Sequence, residues 1–411
     1  MTDPDRLGAR AAAMIEELGA ISAEPGRLVR LYLTPEHRRA ADLVARWMRE
    51  AGLAAGEDAL GTVRGRWGGG RRLLIGSHLD SVIDAGRYDG PLGVVAGILA
   101  AEQVVRSGRQ LPFGIDVLAF GDEEGSRFPS TLSSSAACAG VFDDAMLSLA
   151  DRDGVTMAEA LRAYGKSPAE IPAAAYGRAE AAAYVEVHIE QGPVLESENE
   201  PLGVVTDIVG ASRLRVTVTG EAGHAGTVPM DLRRDALAGA AELVLAVERI
   251  ARTHHDDRMV GTVGRIQAAP GATNVIPGRV QLSIDLRSAT DRIRRAALAE
   301  IKAEAFRLVE ARGLEIELEP LYEVATTPCA PALQELLVQS VSALGHRPLR
   351  LPSGAGHDGQ MMAKLCPMAM LFVRCRGGVS HNPAECASPA DMGAAIAALI
   401  GFIERFDPDR L

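Results

Sequence analysis

The chain has 411 residues, of which 47% are hydrophobic and 4% aromatic, a composition typical of a globular protein with two or three folding units. Its 43 basic and 54 acidic residues give a formal net charge of −11. This balance argues against nucleic acid as a partner, because binding a phosphate backbone requires a dense cationic surface. The longest apolar run, Gly393 to Ile403, is shorter than the ~20 residues that span a bilayer, so we expect no membrane segment.

The cysteines and the N-terminal segment both favour a cytoplasmic protein. The five cysteines show no CxxC spacing, which is typical of reduced thiols and not of a disulfide framework. The first twenty residues contain acidic side chains where a signal peptide needs a continuous apolar stretch, and their pattern predicts an amphipathic helix. We therefore expect no export.

Along the next part of the chain, strand-like apolar runs alternate with helical segments. RLLIGS, from Arg72, predicts a short buried strand, and the segment that begins at Pro91 has helical periodicity with Pro at its start and Gly at its end. Further predicted strands are IDVLAF before Gly121, AYVEVHI before Glu190 and PMAMLFV before Arg374. The alternation predicts an α/β fold with a mostly parallel sheet that helices cover on both faces.

Between about Ile208 and Thr326 the order of the elements changes to β-α-β-β-α-β. The predicted elements are the strand LRVTVTG, a helix from Asp231 to Arg252, the strands GTVGRI and VQLSIDLR, a helix from Arg292 to Ala311, and the strand LEIELEPL. Four antiparallel strands with two helices on one face form a ferredoxin-like unit. We predict that residues 208–327 form this α+β unit, inserted into a larger domain made of residues 1–207 and 328–411. Its helices or open sheet edge could pair with a second copy in a two-fold dimer.

The motif GSHLDSVIDAGRYDG carries His78, Asp80 and Asp89. His78 and Asp80 are two residues apart at the exit of a predicted strand, so Asp80 can orient His78 from behind. Asp89 lies in a Gly-rich loop that can bend sharply enough to bring a carboxylate between two ions. A surface turn is the alternative for HxD alone.

In LAFGDEEGSRFP, Glu123 and Glu124 directly follow an apolar strand. Adjacent acids are unfavourable there unless cations or a proton-transfer role compensate for their desolvation. Successive side chains diverge, so one carboxylate can bind a metal while the other moves a proton. A solvated acidic turn is the alternative.

His188 in VEVHIEQG and His381 in GGVSHNPAE also lie at predicted strand exits. Taken alone, His188 is equally compatible with a hydrogen-bonded core histidine, and His381 is better explained as a surface histidine. In open α/β sheets, however, ligands gather at the carboxyl ends of the strands, and all four motifs lie there. Imidazoles and carboxylates suit borderline divalent cations, so the motifs together predict a two-metal hydrolase site.

Eight ordered motifs over nearly the whole chain resemble the amidase, hydantoinase/carbamoylase family of the dinuclear metallopeptidase M20-like superfamily. They are GSHLDSVIDAGRYDGPLGV, DEEGSRF, VHIEQGPVLE, GHAGTVPMDLRRDA, NVIPG, DLRS, SGAGHDGQ and SHNPAE. This family includes N-carbamoyl-L-amino-acid hydrolases, β-ureidopropionases and allantoate amidohydrolases. The resemblance implies a mostly parallel-sheet dinuclear metallohydrolase domain with an inserted lid and dimerisation domain.

The resemblance also implies roles for individual residues. It implies two divalent ions per subunit, one held by His78, Asp89 and His188 and the other by Asp89, Glu124 and His381, with Glu123 as the general acid/base. The implied substrate contacts are Gln191, His224, Asn274, Arg287, Gly356 and His357. Among these, Arg287 pairs with a substrate carboxylate, and His224 reaches across from one subunit to the site of the other. Relatives also carry a cis peptide bond at the position of Asp89 and Gly90.

His188 stands where related dipeptidases and aminopeptidases usually have an acidic ligand, which favours ureido substrates. We therefore predict hydrolysis of the carbamoyl C–N bond of N-carbamoyl-L-amino acids or of allantoate, with release of ammonia. A dipeptidase or aminoacylase of the same fold is the alternative. A non-catalytic metal-dependent binding protein would need a damaged site, and no ligand position is missing. The ligand set is compatible with Zn, Mn, Co or Ni.

Overall fold

The computed structural model describes residues 3–254 and 258–410, which form two compact units. Unit 2 is Asp207–Pro328, and unit 1 is the described chain on either side of it, up to Thr206 and from Cys329 onward.

The helices and strands are numbered in chain order. The helices are α1 (Pro4–Gly19), α2 (Pro35–Glu50), α3 (Pro91–Arg106), α4 (Ser133–Cys138), α5 (Met157–Ala163), α6 (Val194–Ser197), α7 (Ala236–Thr253), α8 (Asp291–Arg312), α9 (Pro331–Ala343), α10 (Gly359–Met362) and α11 (Pro389–Arg405). The strands are β1 (Ala54–Glu57), β2 (Val63–Trp67), β3 (Arg72–His78), β4 (Gly114–Phe120), β5 (Ala181–Ile189), β6 (Leu202–Ile208), β7 (Gly210–Thr219), β8 (Gly223–His224), β9 (Val260–Thr262), β10 (Ile266–Ala269), β11 (Val275–Ile276), β12 (Arg279–Ser288), β13 (Glu315–Val324), β14 (Thr327–Pro328), β15 (Leu349–Ser353) and β16 (Met368–Val373). None of the helices in the described ranges is long and apolar enough to cross a membrane.

The sheet of unit 1 confirms the predicted α/β fold with a mostly parallel centre. Its strands follow the order β1-β2-β4-β3-β5-β16-β6, and the neighbours β4, β3, β5 and β16 are parallel. All residues of these four strands are buried, as expected when a parallel sheet is covered on both faces. The flanking strands β1, β2 and β6 pair antiparallel, so the parallel part is limited to the centre.

The alternation of side chains along the central strands determines where the polar residues lie. Ile75 of β3 and Val187 of β5 belong to the core that α3 covers. Because successive side chains point to opposite faces, His78 and His188 lie on the other face of the sheet. His78 is beside Phe120 in the register of β4, and His188 is beside Phe372 of β16. The carboxyl ends of the parallel strands therefore meet at one edge.

Unit 2 contains a second, antiparallel sheet with the order β10-β12-β7-β13, and α7 and α8 pack against each other and against this sheet. The helix predicted from Asp231 begins at Ala236 instead, because the Asp235 side chain caps it by accepting hydrogen bonds from the amides of Leu237 and Ala238.

The single strand predicted for GTVGRI is also wrong, since β9 and β10 replace it. Thr262 pairs with Asp285 and Ile266 with Leu282, so three intervening residues face two on β12. The extra residue forms a bulge that interrupts the strand.

Candidate metal site and substrate residues

The predicted metal ligands come together at the carboxyl edge of the unit 1 sheet. Three triads have ligand atoms within 4.8 Å of one another: His78, Asp89 and His188; His78, Glu123 and Glu124; and Asp89, Glu124 and His381. The triads share members, so they form one continuous cluster of imidazoles and carboxylates. The structure thus contains a candidate metal-binding cluster.

Asp89 is the centre of this cluster. Its Oδ1 lies 3.1 Å from His188 Nε2 and 3.5 Å from His78 Nε2. Its Oδ2 lies 3.4 Å from His381 Nε2, and that nitrogen is 3.5 Å from Glu124 Oε2. The two carboxylate oxygens of Asp89 therefore face two different groups of ligands.

The orientation of the two buried histidines fits a cation. Nδ1 of His188 donates to the carbonyl oxygen of Ile189 at 2.9 Å, and Nδ1 of His78 donates to that of Asp80 at 3.2 Å. Each Nε2 then presents a lone pair, and Nε2 of His188 is buried without a hydrogen-bond partner in the described chain. Two such nitrogens facing the same oxygen of Asp89 form a donor set that suits a divalent ion.

The turn after Asp89 brings the chain close to His78. Gly90 has a φ of +83°, and a Cβ there would lie 2.5 Å from the His78 imidazole, so only glycine fits. The cis bond that the resemblance implied between Asp89 and Gly90 is wrong for this structure, where the cis bond of the described residues is Ala269–Pro270. The left-handed φ of Gly90 makes the turn into α3 instead.

Asp80 contacts both the His78 ring and the turn that carries Glu123 and Glu124. Its carbonyl oxygen fixes His78, as above, and its carboxylate Oδ1 is 3.5 Å from Nδ1 of the same ring. The carboxylate also accepts hydrogen bonds from the amides of Glu123 at 3.1 Å and Glu124 at 3.2 Å. Asp80 therefore links the His78 strand to the turn that carries both glutamates, a wider contact than the sequence predicted.

The electrostatics of the cluster reflect buried acids in close proximity. Burial raises the pKa of Glu123 well above its usual value, and burial together with Asp89 raises the pKa of Glu124 to about 7. Burial also opposes ionisation of Asp89, but His188 and the other neighbouring histidines hold its pKa well below the usual value. The hydrogen bond to Asp89 raises the pKa of His381 to about 9. A bound cation relieves this concentration of negative charge.

Comparison with known proteins identifies the family. The profile of peptidase family M20/M25/M40 matches residues 74–405. The chain is 41% identical to the N-carbamoyl-L-amino acid amidohydrolase of Geobacillus stearothermophilus, over 95% of this chain and 97% of that protein. It is 40% identical to the allantoate deiminase of Arabidopsis thaliana, over 96% of this chain and 81% of that protein. A crystal structure of an amidase of the hydantoinase/carbamoylase family from Burkholderia multivorans superposes with a TM-score of 0.91 at 35% identity, covering 96% and 97% of the two chains.

The chain belongs to the M20 hydantoinase/carbamoylase amidases. The resemblance drawn from the eight sequence motifs is thereby confirmed.

Two of the substrate residues predicted for this M20 amidase lie next to the metal-binding cluster. Gln191 Nε2 is 2.6 Å from Asp89 Oδ2 and 3.1 Å from Ser380 Oγ. The ring of His357 packs edge-on against that of His188 with 4.4 Å between centroids, and its Nε2 is 2.7 Å from Ser353 Oγ. Gly356 precedes His357 in the loop after β15.

The other three predicted substrate residues of the amidase lie in unit 2. His224 and Asn274 are neighbours, because β8 and β11 form a two-stranded ribbon in which His224 faces Val275 and the amide of Ala225 donates to the Asn274 carbonyl at 3.0 Å. Arg287 is part of a separate contact at the end of β12. Its Nε and Nη2 both donate to the Asp285 carboxylate at 3.0 Å, and Arg213 donates to the same carboxylate at 3.0 Å.

Two polar residues next to the cluster were not predicted from the sequence. Ser380 Oγ lies 2.6 Å from Asp89 Oδ2, and Glu385 accepts hydrogen bonds from the amides of Tyr88 and Asp89. Both belong to SHNPAE, the motif in which only His381 was singled out. An acid four residues after the histidine, following a proline-containing turn, was the available signal.

Proposed function

We propose that this protein is an amidohydrolase that cleaves the ureido C–N bond of N-carbamoyl-L-amino acids or of allantoate and releases ammonia. The proposal depends on one observation: in a chain of this family, four further candidate ligands lie around the carboxylate of Asp89, namely His78, Glu124, His188 and His381. The names of its relatives, N-carbamoyl-L-amino acid amidohydrolase and allantoate deiminase, support the substrate class. Their similar identities, 41% and 40%, leave the choice between the two substrates to experiment.

The cluster fits two divalent ions. His78, Asp89 and His188 would hold one, and Asp89, Glu124 and His381 the other, with Asp89 shared because its two oxygens face the two groups. Zn, Mn, Co and Ni all suit this donor set. When bound, such ions lower the pKa of a water to about 7 and polarise a carbonyl oxygen.

Glu123 is the proposed general acid/base. Its Oε2 lies 3.9 Å from His78 Nε2, at the edge of the cluster, and Asp80 holds its backbone in place. From this position the carboxylate takes a proton from the water that attacks the ureido carbon. It then gives this proton to the leaving nitrogen as the C–N bond breaks.

Unit 2 is the proposed lid and dimerisation domain. The planar fork of Arg287 matches a substrate carboxylate, and the side chains of His224 and Asn274 can donate to a developing oxyanion. Gln191, Gly356 and His357 would complete the substrate contacts from unit 1. In this proposal His224 serves the site of the other subunit in a homodimer, and the cytoplasmic location stays a prediction.

A substrate panel tests the function directly. The purified protein, stripped by a chelator and reloaded with Mn²⁺ or Zn²⁺, is incubated with N-carbamoyl-L-amino acids, allantoate, N-acyl amino acids and dipeptides. We expect ammonia from at least one ureido acid and no comparable release of amino acids from the amides and peptides. Faster cleavage of the amides or dipeptides would instead assign the chain to the aminoacylase or dipeptidase alternative.

A further inference from the structure

A buried glutamate stands directly behind the shared ligand Asp89. Glu385 is 5% exposed, and its Oε1 accepts hydrogen bonds from the amides of Tyr88 at 2.8 Å and Asp89 at 3.1 Å. Its Oε2 lies 3.1 Å from Ser380 Oγ. The glutamate therefore contacts both the loop that carries Asp89 and the residue that precedes His381.

Local structure imposes this approach. The amide of Glu385 donates to the Asn382 carbonyl at 3.0 Å, and the Asn382 side chain accepts from the amide of Ala384 at 2.9 Å, so residues 382–385 form a tight turn. On the opposite loop, a Cβ at Gly86 would collide with the Glu385 side chain. The turn and the glycine together allow the carboxylate to reach the Asp89 loop.

The hydrogen-bond donors around Asp89 Oδ2 exceed what a metal-ligating oxygen can accept. Oδ2 has two potential donors, Gln191 Nε2 and Ser380 Oγ, both at 2.6 Å. The Ser380 hydroxyl has one hydrogen, which can point either to Asp89 Oδ2 or to Glu385 Oε2. When Oδ2 binds an ion, donation from Ser380 competes for its lone pairs and weakens it as a ligand.

We propose that Glu385 is a positioning residue for metal binding, which accepts the Ser380 hydroxyl hydrogen and so leaves Asp89 Oδ2 available to the ion that it shares with Glu124 and His381. This inference rests on the two-ion site of the proposed function. Residues that orient metal ligands commonly change metal affinity by about 10- to 100-fold. In Glu385→Gln the amide nitrogen would donate to Ser380 Oγ, which forces the hydroxyl hydrogen onto Asp89.

The test is a double-mutant cycle on metal affinity. Mn²⁺ affinity is measured by equilibrium dialysis for four chelator-treated proteins: the wild type, E385Q, S380A and S380A/E385Q. The same measurement on H381A identifies which of the two ions depends on His381. We expect E385Q to lower the affinity for that ion about tenfold, in the range for residues that orient ligands. The affinity for the other ion should be nearly unchanged. In the S380A background, where no hydroxyl competes, E385Q should change the affinity by less than about twofold.

Asp58→Asn is the matched control. One oxygen of Asp58 accepts from the amides of Leu60 and Thr62, as Glu385 accepts from two amides, and the other pairs with Arg64, so this largely enclosed carboxylate matches the backbone contacts of Glu385 outside the cluster. We expect D58N to bind both ions like the wild type. Should E385Q fail to fold, S380A alone carries the test, because removing a competing donor should not weaken the His381-dependent ion.

Three results would overturn the inference and leave the two-ion site in place. A wild-type metal affinity in E385Q would show that Glu385 has no role in metal binding. If E385Q lowers the metal affinity equally with and without the Ser380 hydroxyl, Glu385 acts only by holding the backbone of the Asp89 loop. Weaker binding in S380A would show that Ser380 supports the ion and does not compete with it. A wild type that binds a single ion would instead contradict the two-ion site itself, and this inference with it.

Discussion

The candidate metal-binding cluster of unit 1 and the proposed substrate residues of unit 2 differ in how firmly the fold holds them. His78 and His188 are each 1% exposed, and their ring nitrogens are fixed by backbone carbonyls. His224 and Asn274 are exposed on a two-stranded ribbon, and Arg287 is held by a neighbouring carboxylate at the end of a strand. The fold thus holds the proposed catalytic residues in fixed positions, and it leaves the proposed substrate residues at exposed or polar positions where a substrate could replace their present partners. Changes in unit 1 should therefore affect metal content and turnover, and changes in unit 2 should affect substrate binding.

The largest expected effect is that of Glu123→Gln. The amide cannot take the proton from the attacking water, so kcat should fall by about 10²- to 10⁴-fold while both ions remain bound. Steady-state ammonia release and metal analysis measure the two quantities. The control is D58N, which should keep both values. Loss of metal in E123Q would show instead that Glu123 is a ligand.

The second prediction tests whether the two units cooperate across subunits. If His224 serves the other subunit, a hybrid dimer of E123Q and H224A chains has one site with both residues intact. Mixing the two variants under conditions that exchange subunits should therefore restore activity well above that of either parent. Mixed samples that stay as inactive as their parents would place His224 in the site of its own chain, and an H224A parent with wild-type activity would place His224 outside the reaction.

The third prediction concerns the proposed metal ligand His188. Replacing it with alanine would remove one of the three proposed ligands of one ion, so metal affinity and activity should both drop, and excess metal should partly restore the activity. The chain offers His37 as a control, since this buried histidine faces the Tyr164 hydroxyl and belongs to none of the three triads. H37Q should retain the metal content of the wild type. A metal-replete but inactive H188A would contradict the assignment of His188 as a ligand.

The smallest expected effect is that of Arg287→Lys compared with Arg287→Ala. Truncation to alanine removes a charged hydrogen bond and should raise KM by about 10- to 100-fold, whereas lysine keeps the charge without the planar fork and should fall in between. In both variants kcat should change less than KM. Arg215, which pairs with Glu319 on the same sheet, is the matched control, and R215A should leave KM unchanged. A fall in kcat with constant KM would contradict substrate binding by Arg287.

The sequence predicted the residues whose position follows from a strand end. His78, Glu124 and His188 follow buried runs, and the parallel order of the strands brings them to one edge. The contacts of Ser380 and Glu385 could not be predicted, because they depend on how two separate loops face each other. The start of α7 was mispredicted for a local reason. The predicted helix began at Asp231 and included Asp235, whereas in the structure Asp235 is the N-cap and the helix begins one residue later.

The pairing of Arg287 with Asp285 could be predicted from the sequence only in part. Two residues apart on a strand share a face, so the sequence alone contained the geometry. What it did not contain was the third member, Arg213, which the register of β7 and β12 places opposite Asp285.

The most direct test of the account is anomalous X-ray diffraction from crystals of the protein loaded with Mn²⁺ or Zn²⁺. We expect two anomalous peaks within coordination distance of Asp89, one next to His78 and His188 and the other next to Glu124 and His381. A single peak, or peaks that do not contact Asp89, would contradict the shared-carboxylate site on which the proposed reaction depends.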